Sequence, residues 1–296
     1  MLAAILLALC LCSYAQDAFF AVSPLRETRA VWLTTLNGLD WPRTKANDEK
    51  GILRQKAELA AMLDALQRMG INTVLLQTRI RGTVIYPSAI EPWDACLTGR
   101  AGRSPGYDPL QFAVDECHRR GMLLHAWVVT LHEKGPYLNP ASPSTAAYLS
   151  SVCCEIARRY DVDGISLDYI RYPDRASTIR DARDYRASRT RKPLADWRRD
   201  NITRIVRTIH DDVKALKPWV RITASPIGKY SDVSRYRSGG WNARDAVFQD
   251  VKLWMRERLL DGIFPMMYFR DNHFYPFALD WCQGAYGCEV CPGLGI

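Results

Sequence analysis

Short apolar runs alternate along the chain with longer stretches of helical period. The runs are Ala30–Leu36, Asn72–Thr78, Met122–Val129, Gly164–Tyr169, Val220–Ser225, Gly262–Tyr268 and Glu289–Ile296. Each has the length and β-branched content of a strand. In Gly51–Met69, the residues Ile52, Leu59, Met62, Leu63, Leu66 and Met69 recur near i, i+3, i+4 and i+7, the stripe of an amphipathic helix. Tyr107–Arg120, Ser144–Tyr160, Asp196–Leu216 and Ala243–Leu260 repeat that period. Glycine stands at several helix-to-strand junctions (Gly70, Gly121, Gly164, Gly262), where it ends the helix and lets the chain reverse.

Strands that alternate with helices predict a parallel sheet. Runs that are almost wholly apolar predict strands covered on both faces. The fold class is therefore α/β, a (β/α)8 TIM-type barrel, with seven strands read where closure needs eight. The expectation is a barrel over residues 27-296, truncated after strand seven, whose first and seventh strands present unpaired edges. At full length it is expected to be a monomer. A doubly wound open sheet is the competing fold, but Thr34-Thr35-Leu36-Asn37-Gly38 is not the Gly-rich phosphate loop that such a sheet carries after its first strand.

The N-terminus departs from this pattern. Leu2 to Cys12 is an unbroken apolar run, followed by Ser13-Tyr14-Ala15 with small residues at the −3 and −1 positions of a signal-peptidase site. The run is too short to span a bilayer, so residues 1-15 are expected to be a signal peptide. No Lys or Arg precedes it, and a buried N-terminal element is the competing reading. No later stretch is long and apolar enough for a transmembrane segment. Export, to the periplasm or beyond the cell, implies an oxidising compartment and argues against a nucleic-acid partner. Seven cysteines follow (96, 117, 153, 154, 282, 288 and 291). Their number is odd, and adjacent Cys153 and Cys154 are not expected both to face the core from one helix. Cys288-x-x-Cys291 lacks a second pair at zinc spacing. Incidental thiols or one local disulfide fit best, and neither a metal nor a cofactor is expected.

The net charge of +8 is local: ten of the 40 basic residues fall between Arg171 and Arg199, against four acids there. This excess occupies the longest interruption, Arg171–Ala195, just beyond the fourth strand. It reads either as a solvated Arg-rich excursion or as an attraction for an anionic polymer.

In a barrel, polar residues at the C-terminal strand ends read as catalytic. The sequence places Asn37 beyond the first strand, Gln77 and Arg79 at the second, and His125 and Trp127 on the third. Asp168, Tyr169, Arg171 and Tyr172 stand at the fourth, and Tyr268 at the sixth. The set is polar, aromatic and poor in acids, as a sugar-binding cleft is. Asp168 ends the run Ile165-Ser166-Leu167, where a carboxylate is costly unless paired or solvated. Arg171 and Arg79 are its candidate partners, and an Asp–Arg pair that merely holds the rim is the alternative to catalysis. His125 reads equally well as a hydrogen-bonded core residue. Ser225 precedes Pro226, outside any G-x-S-x-G elbow, and no P-loop or H-E-x-x-H occurs.

Six segments carry a resemblance: Glu27-Thr28-Arg29-Ala30-Val31-Trp32-Leu33-Thr34, Glu91-Pro92-Trp93-Asp94-Ala95-Cys96-Leu97-Thr98-Gly99, Pro105-Gly106-Tyr107-Asp108-Pro109-Leu110, His125-Ala126-Trp127, Asp161 through Pro173, and Ser225-Pro226-Ile227-Gly228. In this order they resemble the bacterial glycosyl-hydrolase-like 10 family, from about Glu27 to the last residue. The resemblance implies an exported glycosidase-type barrel. Characterised relatives act on peptidoglycan glycan strands, notably ones stripped of their peptides. Many members show two consecutive acids where this chain has Asp168-Tyr169, so only Asp168 carries over. The acids that mark the true family-10 xylanases are missing after strands four and seven, and xylanase activity is not supported.

Glycoside hydrolysis normally needs two carboxyl groups, about 5–5.5 Å apart for retention and about 6.5–9.5 Å for inversion. Asp168 is one. Glu91, Asp94, Asp40, Glu133 and Asp271 are candidates for the other, all on loops expected at the C-terminal face. Glu91 is preferred, because its apolar neighbours Pro92 and Trp93 would raise its pKa toward that of an acid catalyst. Trp93, Trp127, Tyr172 and Tyr268 are expected to stack on sugar rings, with barrel core as the alternative for Trp127. Arg79, Asn37 and Gln77 would satisfy hydroxyl or N-acetyl groups, and His125, Tyr169 and Arg171 complete the expected binding set. Two functions stay open: an exported glycoside hydrolase acting on a polysaccharide, and a glycan-binding barrel without chemistry.

Overall fold

The computed structural model describes residues 27–234, 236, 241–270 and 273–295. The expected signal peptide lies outside them. The strands are β1 (Ala30–Leu33), β2 (Thr73–Arg81), β3 (Thr83–Val84), β4 (Leu123–Glu133), β5 (Gly164–Asp168), β6 (Arg221–Ala224), β7 (Gly262–Ile263) and β8 (Glu289–Val290). Seven of them run parallel in the order β1-β2-β4-β5-β6-β7-β8, and β3 folds back antiparallel on β2. The strand order follows the chain, as in a (β/α)8 barrel, and no eighth barrel strand lies among the described residues. The two end strands approach each other through side chains. The Thr28 hydroxyl donates to Glu289, which also pairs with Arg221, and the Cys291 thiol lies 3.6 Å from the Thr28 carbonyl.

The strands are not apolar on both faces. One face of β5 carries Ile165 and Leu167, which join the hydrophobic core under the helices along with Leu124, Ala126, Val128, Ile222 and Ala224. The other face carries Gly164, Ser166 and Asp168. A Cβ added to Gly164 would meet the His125 ring at 2.8 Å, so that glycine makes room for an inward imidazole. His125, Ser166 and Thr223 on β4 to β6, and Ser225 just beyond β6, are buried polar side chains whose polar atoms have no hydrogen-bond partner among the described residues. Alternation at period two thus sorts apolar residues toward the helices and polar ones toward the barrel axis.

β1 stops at Leu33 rather than Leu36, β5 and β6 lose one or two residues, and β7 and β8 are cut to two residues each. Pro265 and Pro292 follow the ends of β7 and β8 and supply no backbone donor. Beyond them only single bridges persist, Met266 with Ile227 and with Gly293. The helix Glu49–Arg68 starts where Asp48 accepts a hydrogen bond from the Gly51 amide, and Asp108 caps Pro109–Arg119 in the same way. The predicted helix Ala243–Leu260 is broken into Ala243–Ala246 and Val251–Arg256, with Phe248 between them at φ 61°. No helix of the described residues is long and apolar enough to cross a membrane. Cys153 and Cys154 are both buried, against expectation. The helix Pro143–Arg159 that carries them is covered on one side by the sheet and on another by the helix Leu194–Leu216. All seven cysteines among the described residues are free thiols.

Candidate active site

Asp168 is the last residue of β5, and its side chain points to the barrel axis. The β4–β5 register pairs Trp127 with Ser166 and Val129 with Asp168. The Trp127 indole can therefore reach along the axis and donate Nε1–H to Asp168 Oδ2 at 3.0 Å. The other oxygen, Oδ1, accepts the Tyr169 amide at 2.7 Å. Tyr169 adopts φ 50°, a left-handed conformation that costs a non-glycine residue about 1 kcal/mol or more. That turn aims its amide back at Asp168. The Thr130 hydroxyl fastens the backbone from the other side, donating to the Asp168 carbonyl at 2.8 Å.

Only 8% of Asp168 is exposed. Burial pushes its carboxyl above the ordinary range, and the Tyr169 amide, the Trp127 indole and the Arg171 charge offset that rise only in part. The exposed fraction faces a cleft of about 690 Å³ that opens between the two end strands. Trp32, Trp127, Ser225, Met266 and Tyr268 line it, with backbone from Pro292 to Gly295. Tyr268 is 60% exposed at its rim. Burial and the neighbouring Asp168 charge raise the Tyr268 hydroxyl pKa. The chemistry available is a carboxyl group held by two donors, its pKa raised by burial, at the floor of an aromatic cleft.

Other expected site residues fall elsewhere. Glu91 is 5% exposed and is locked to Arg79, accepting from Nε at 2.9 and 3.0 Å and from Nη2 at 2.6 Å. It also takes the Tyr148 hydroxyl. Its oxygens are committed to these partners, so Glu91 does not face the Asp168 cleft as an acid. Arg79, wholly buried, pairs with Glu91 and Glu133 and donates to the Val129 and Thr130 carbonyls. It does not pair with Asp168, and ties the hairpin after β2 to the end of β4.

Gln77 is likewise structural. Its Oε1 accepts from the Thr34 hydroxyl at 2.8 Å and from the Thr35 and Leu36 amides at 3.0 Å each, shaping the loop beyond β1. Asn37 lies on that loop, exposed, in a separate cavity with Lys45, Arg81 and Asp94. Trp93 bridges to Val84 and packs against the hydrophobic core, away from the cleft. Tyr172 is fully buried, edge-on to Phe248, with its hydroxyl 3.2 Å from Asp181. His125 is buried beneath the cleft, and burial lowers its pKa to about 4.

Four of the carboxyls weighed as partners of Asp168 are engaged elsewhere. Glu91 and Glu133 hold Arg79, Asp94 caps Ala95–Thr98, and Asp40 accepts the Thr34 amide. Asp271 lies outside the described residues. Arg171 does not touch Asp168 directly; its Nη1 donates to Asp174 at 2.8 Å and to the Tyr172 carbonyl at 3.2 Å. The Arg-rich segment that begins there is anchored at Asp181, which takes two hydrogen bonds from Arg198 at 2.8 Å each, while Arg175, Arg180, Arg183, Arg186, Arg189, Arg191 and Lys192 are exposed. Trp32 and Met266, which line the cleft, and Trp241 and Phe269, which line a neighbouring cavity, were not among the expected site residues.

The fold of this site recurs in solved structures. The PgaB (BpsB) glycoside hydrolase domain from Bordetella bronchiseptica matches with a TM-score of 0.63 at 12% identity, over 91% of this chain and 84% of that one. The Flavobacterium johnsoniae chitobiase matches with a TM-score of 0.56 at 11% identity, over 92% and 38%. In sequence, glycosyl hydrolase DigH of Escherichia coli K12 is 33% identical over 286 residues, 81% of this chain and 65% of DigH. Glycosyl hydrolase YngK of Bacillus subtilis is 31% identical over 300 residues, 86% of this chain and 57% of YngK. The chain thus spans about two thirds or less of the curated relatives it matches. The glycosyl hydrolase-like 10 model matches residues 27–136 and 130–283, and the chain belongs to that family.

Proposed function

We propose that the protein is an exported glycoside hydrolase acting on a bacterial cell-wall glycan of peptidoglycan type, with Asp168 as its general acid. One observation carries the reading: a carboxyl group with a raised pKa at the floor of an aromatic cleft, oriented by Trp127 and Tyr169. Breaking a glycosidic bond by hydrolysis needs a proton on the leaving oxygen as the C–O bond lengthens, and a water whose oxygen bonds to the anomeric carbon and whose released proton restores the acid. A carboxyl whose pKa is raised by burial holds its proton to higher pH than an exposed one and can give the leaving oxygen that proton. The indole and amide donors then stabilise the carboxylate left behind, because hydrogen bonds to a charged acceptor are the stronger ones. Trp127 and Tyr268 offer ring faces to the apolar C–H faces of a sugar.

The family supports the reaction class, and the names of DigH and YngK support it over the matched length. The cell-wall substrate rests on the family resemblance. Export rests on the apolar run and small residues before Gln16. The test is release of shorter chains from peptide-stripped glycan strands by the wild-type protein and by Asp168→Asn. Loss of release in the variant, with glycan binding kept, supports the reading; equal release by both removes Asp168 from it.

A further inference from the structure

Beside the Asp168 cleft lies a second cavity of about 340 Å³ that shares Met266 and Tyr268 with it. Ile227, Trp241 and Phe269 make it mostly apolar, and Arg171 is the charged side chain in its wall. The guanidinium lies 4.8 Å from the centroid of the Tyr169 ring and 5.4 Å from that of Trp241. Its Nη1 is tethered to the Tyr172 carbonyl and to Asp174. Nε and Nη2 have no hydrogen-bond partner among the described residues, and neither is sealed from solvent.

Two rings and one tethered nitrogen hold this guanidinium in place, so its remaining donors need little ordering before a ligand binds. Two parallel N–H groups on a fixed arginine match the two oxygens of a carboxylate. Asp174 is 71% exposed; solvent screens its pull on Arg171, and the positive charge remains available to the cavity.

We propose that this cavity is a subsite for a carboxylate carried on the glycan, bound by the Nε/Nη2 edge of Arg171. Trp241, Phe269 and Ile227 receive the apolar part of the substituent. This deepens the glycosidase reading and rests on it only for placing a sugar at Asp168. In a strand of peptidoglycan type, the group with this chemistry is the lactyl ether of muramic acid, which carries a free carboxylate where no peptide is attached.

The test is calorimetric binding to the Asp168→Asn protein, so that ligand is not consumed. One ligand is a muramic-acid oligosaccharide with free lactyl carboxylates. The other is the same oligosaccharide with those carboxylates reduced to alcohols. The carboxylate form should bind about tenfold tighter or more, the worth of hydrogen bonds to a charged partner, and the preference should shrink as salt rises. Adding Arg171→Gln should erase the preference and leave the affinity for the reduced ligand unchanged, whereas Arg171→Lys should retain part of it. Equal affinity for the two ligands overturns the proposal, as does binding of neither. A preference that survives Arg171→Gln, or a variant that weakens both ligands alike, overturns it too. A carboxylate preference without turnover by the wild-type chain has a different meaning: the subsite stands and the hydrolase reading fails.

Discussion

Trp127 Nε1 and Asp168 Oδ2 meet at 3.0 Å across adjacent parallel strands, and the indole that makes this bond also forms part of the cleft wall. One side chain therefore orients the acid and faces the space a sugar would occupy. Its N–H stabilises the charged form of Asp168 while burial disfavours it.

Replacing Trp127 with Phe removes the donor and keeps a ring. A carboxylate that loses a hydrogen bond to its charged form has a higher pKa. The alkaline limb of the kcat/KM profile on stripped glycan, which reports loss of the acid's proton, should move to higher pH. An unmoved limb would separate Trp127 from the titration of Asp168.

Asp168 should also cost the protein stability. Its folded pKa lies above the unfolded value, so the native state binds more protons between the two, and stability falls as pH rises through the folded value. Asp168→Asn cannot ionise. Its melting temperature should exceed that of wild type at pH 8, and the gap should close below about pH 4, near the ordinary pKa of Asp. A gap independent of pH would mean that the native carboxyl titrates normally.

Glu91→Gln should act on stability rather than on chemistry. It removes one partner of a buried ion pair, a change that typically costs about 3–5 kcal/mol, with Glu133 still holding Arg79. Denaturant unfolding should show that loss, while the folded variant keeps its turnover. A fall in kcat of about 10²-fold or more at unchanged stability would restore Glu91 as the acid.

The strand positions were legible because each apolar run ends at a glycine, a proline or a polar turn. Asp168, Trp127 and Tyr268 were legible for the same reason, since the ends of strands place them at the cleft. The Arg79–Glu91 pair was not. It forms because the chain turns at Gly82, φ 74°, into the β3 hairpin, and no helical or strand period marks that turn. Tyr172 reads as a loop residue, yet the left-handed turn at Tyr169 redirects the chain, and Tyr172 ends up fully buried beside Phe248. The runs read as apolar on both faces because Ser166 and Thr223 are small and brief interruptions. Only the pairing of strands shows that these residues and His125 share the axial face.

His125 gives a signature in acid. Burial holds its folded pKa at about 4, below the ordinary 6.5. The unfolded chain binds the extra proton first, so the His125 contribution to stability is full above about pH 6.5 and is lost as pH falls toward 4. Urea unfolding between pH 7 and 4 should show a steeper loss for wild type than for His125→Leu. Parallel slopes would mean that another group controls acid unfolding.

The glycosidase reading turns on Asp168 giving its proton to the oxygen of the departing sugar. The most direct measurement is turnover of peptide-stripped glycan strands by wild type and Asp168→Asn, with the affinity of each protein for the same strands determined alongside. In Asp168→Asn, kcat should fall about 10²–10⁴-fold, the worth of a positioned acid, with affinity changed by less than about threefold, under 1 kcal/mol. Undiminished turnover by Asp168→Asn would contradict that reading.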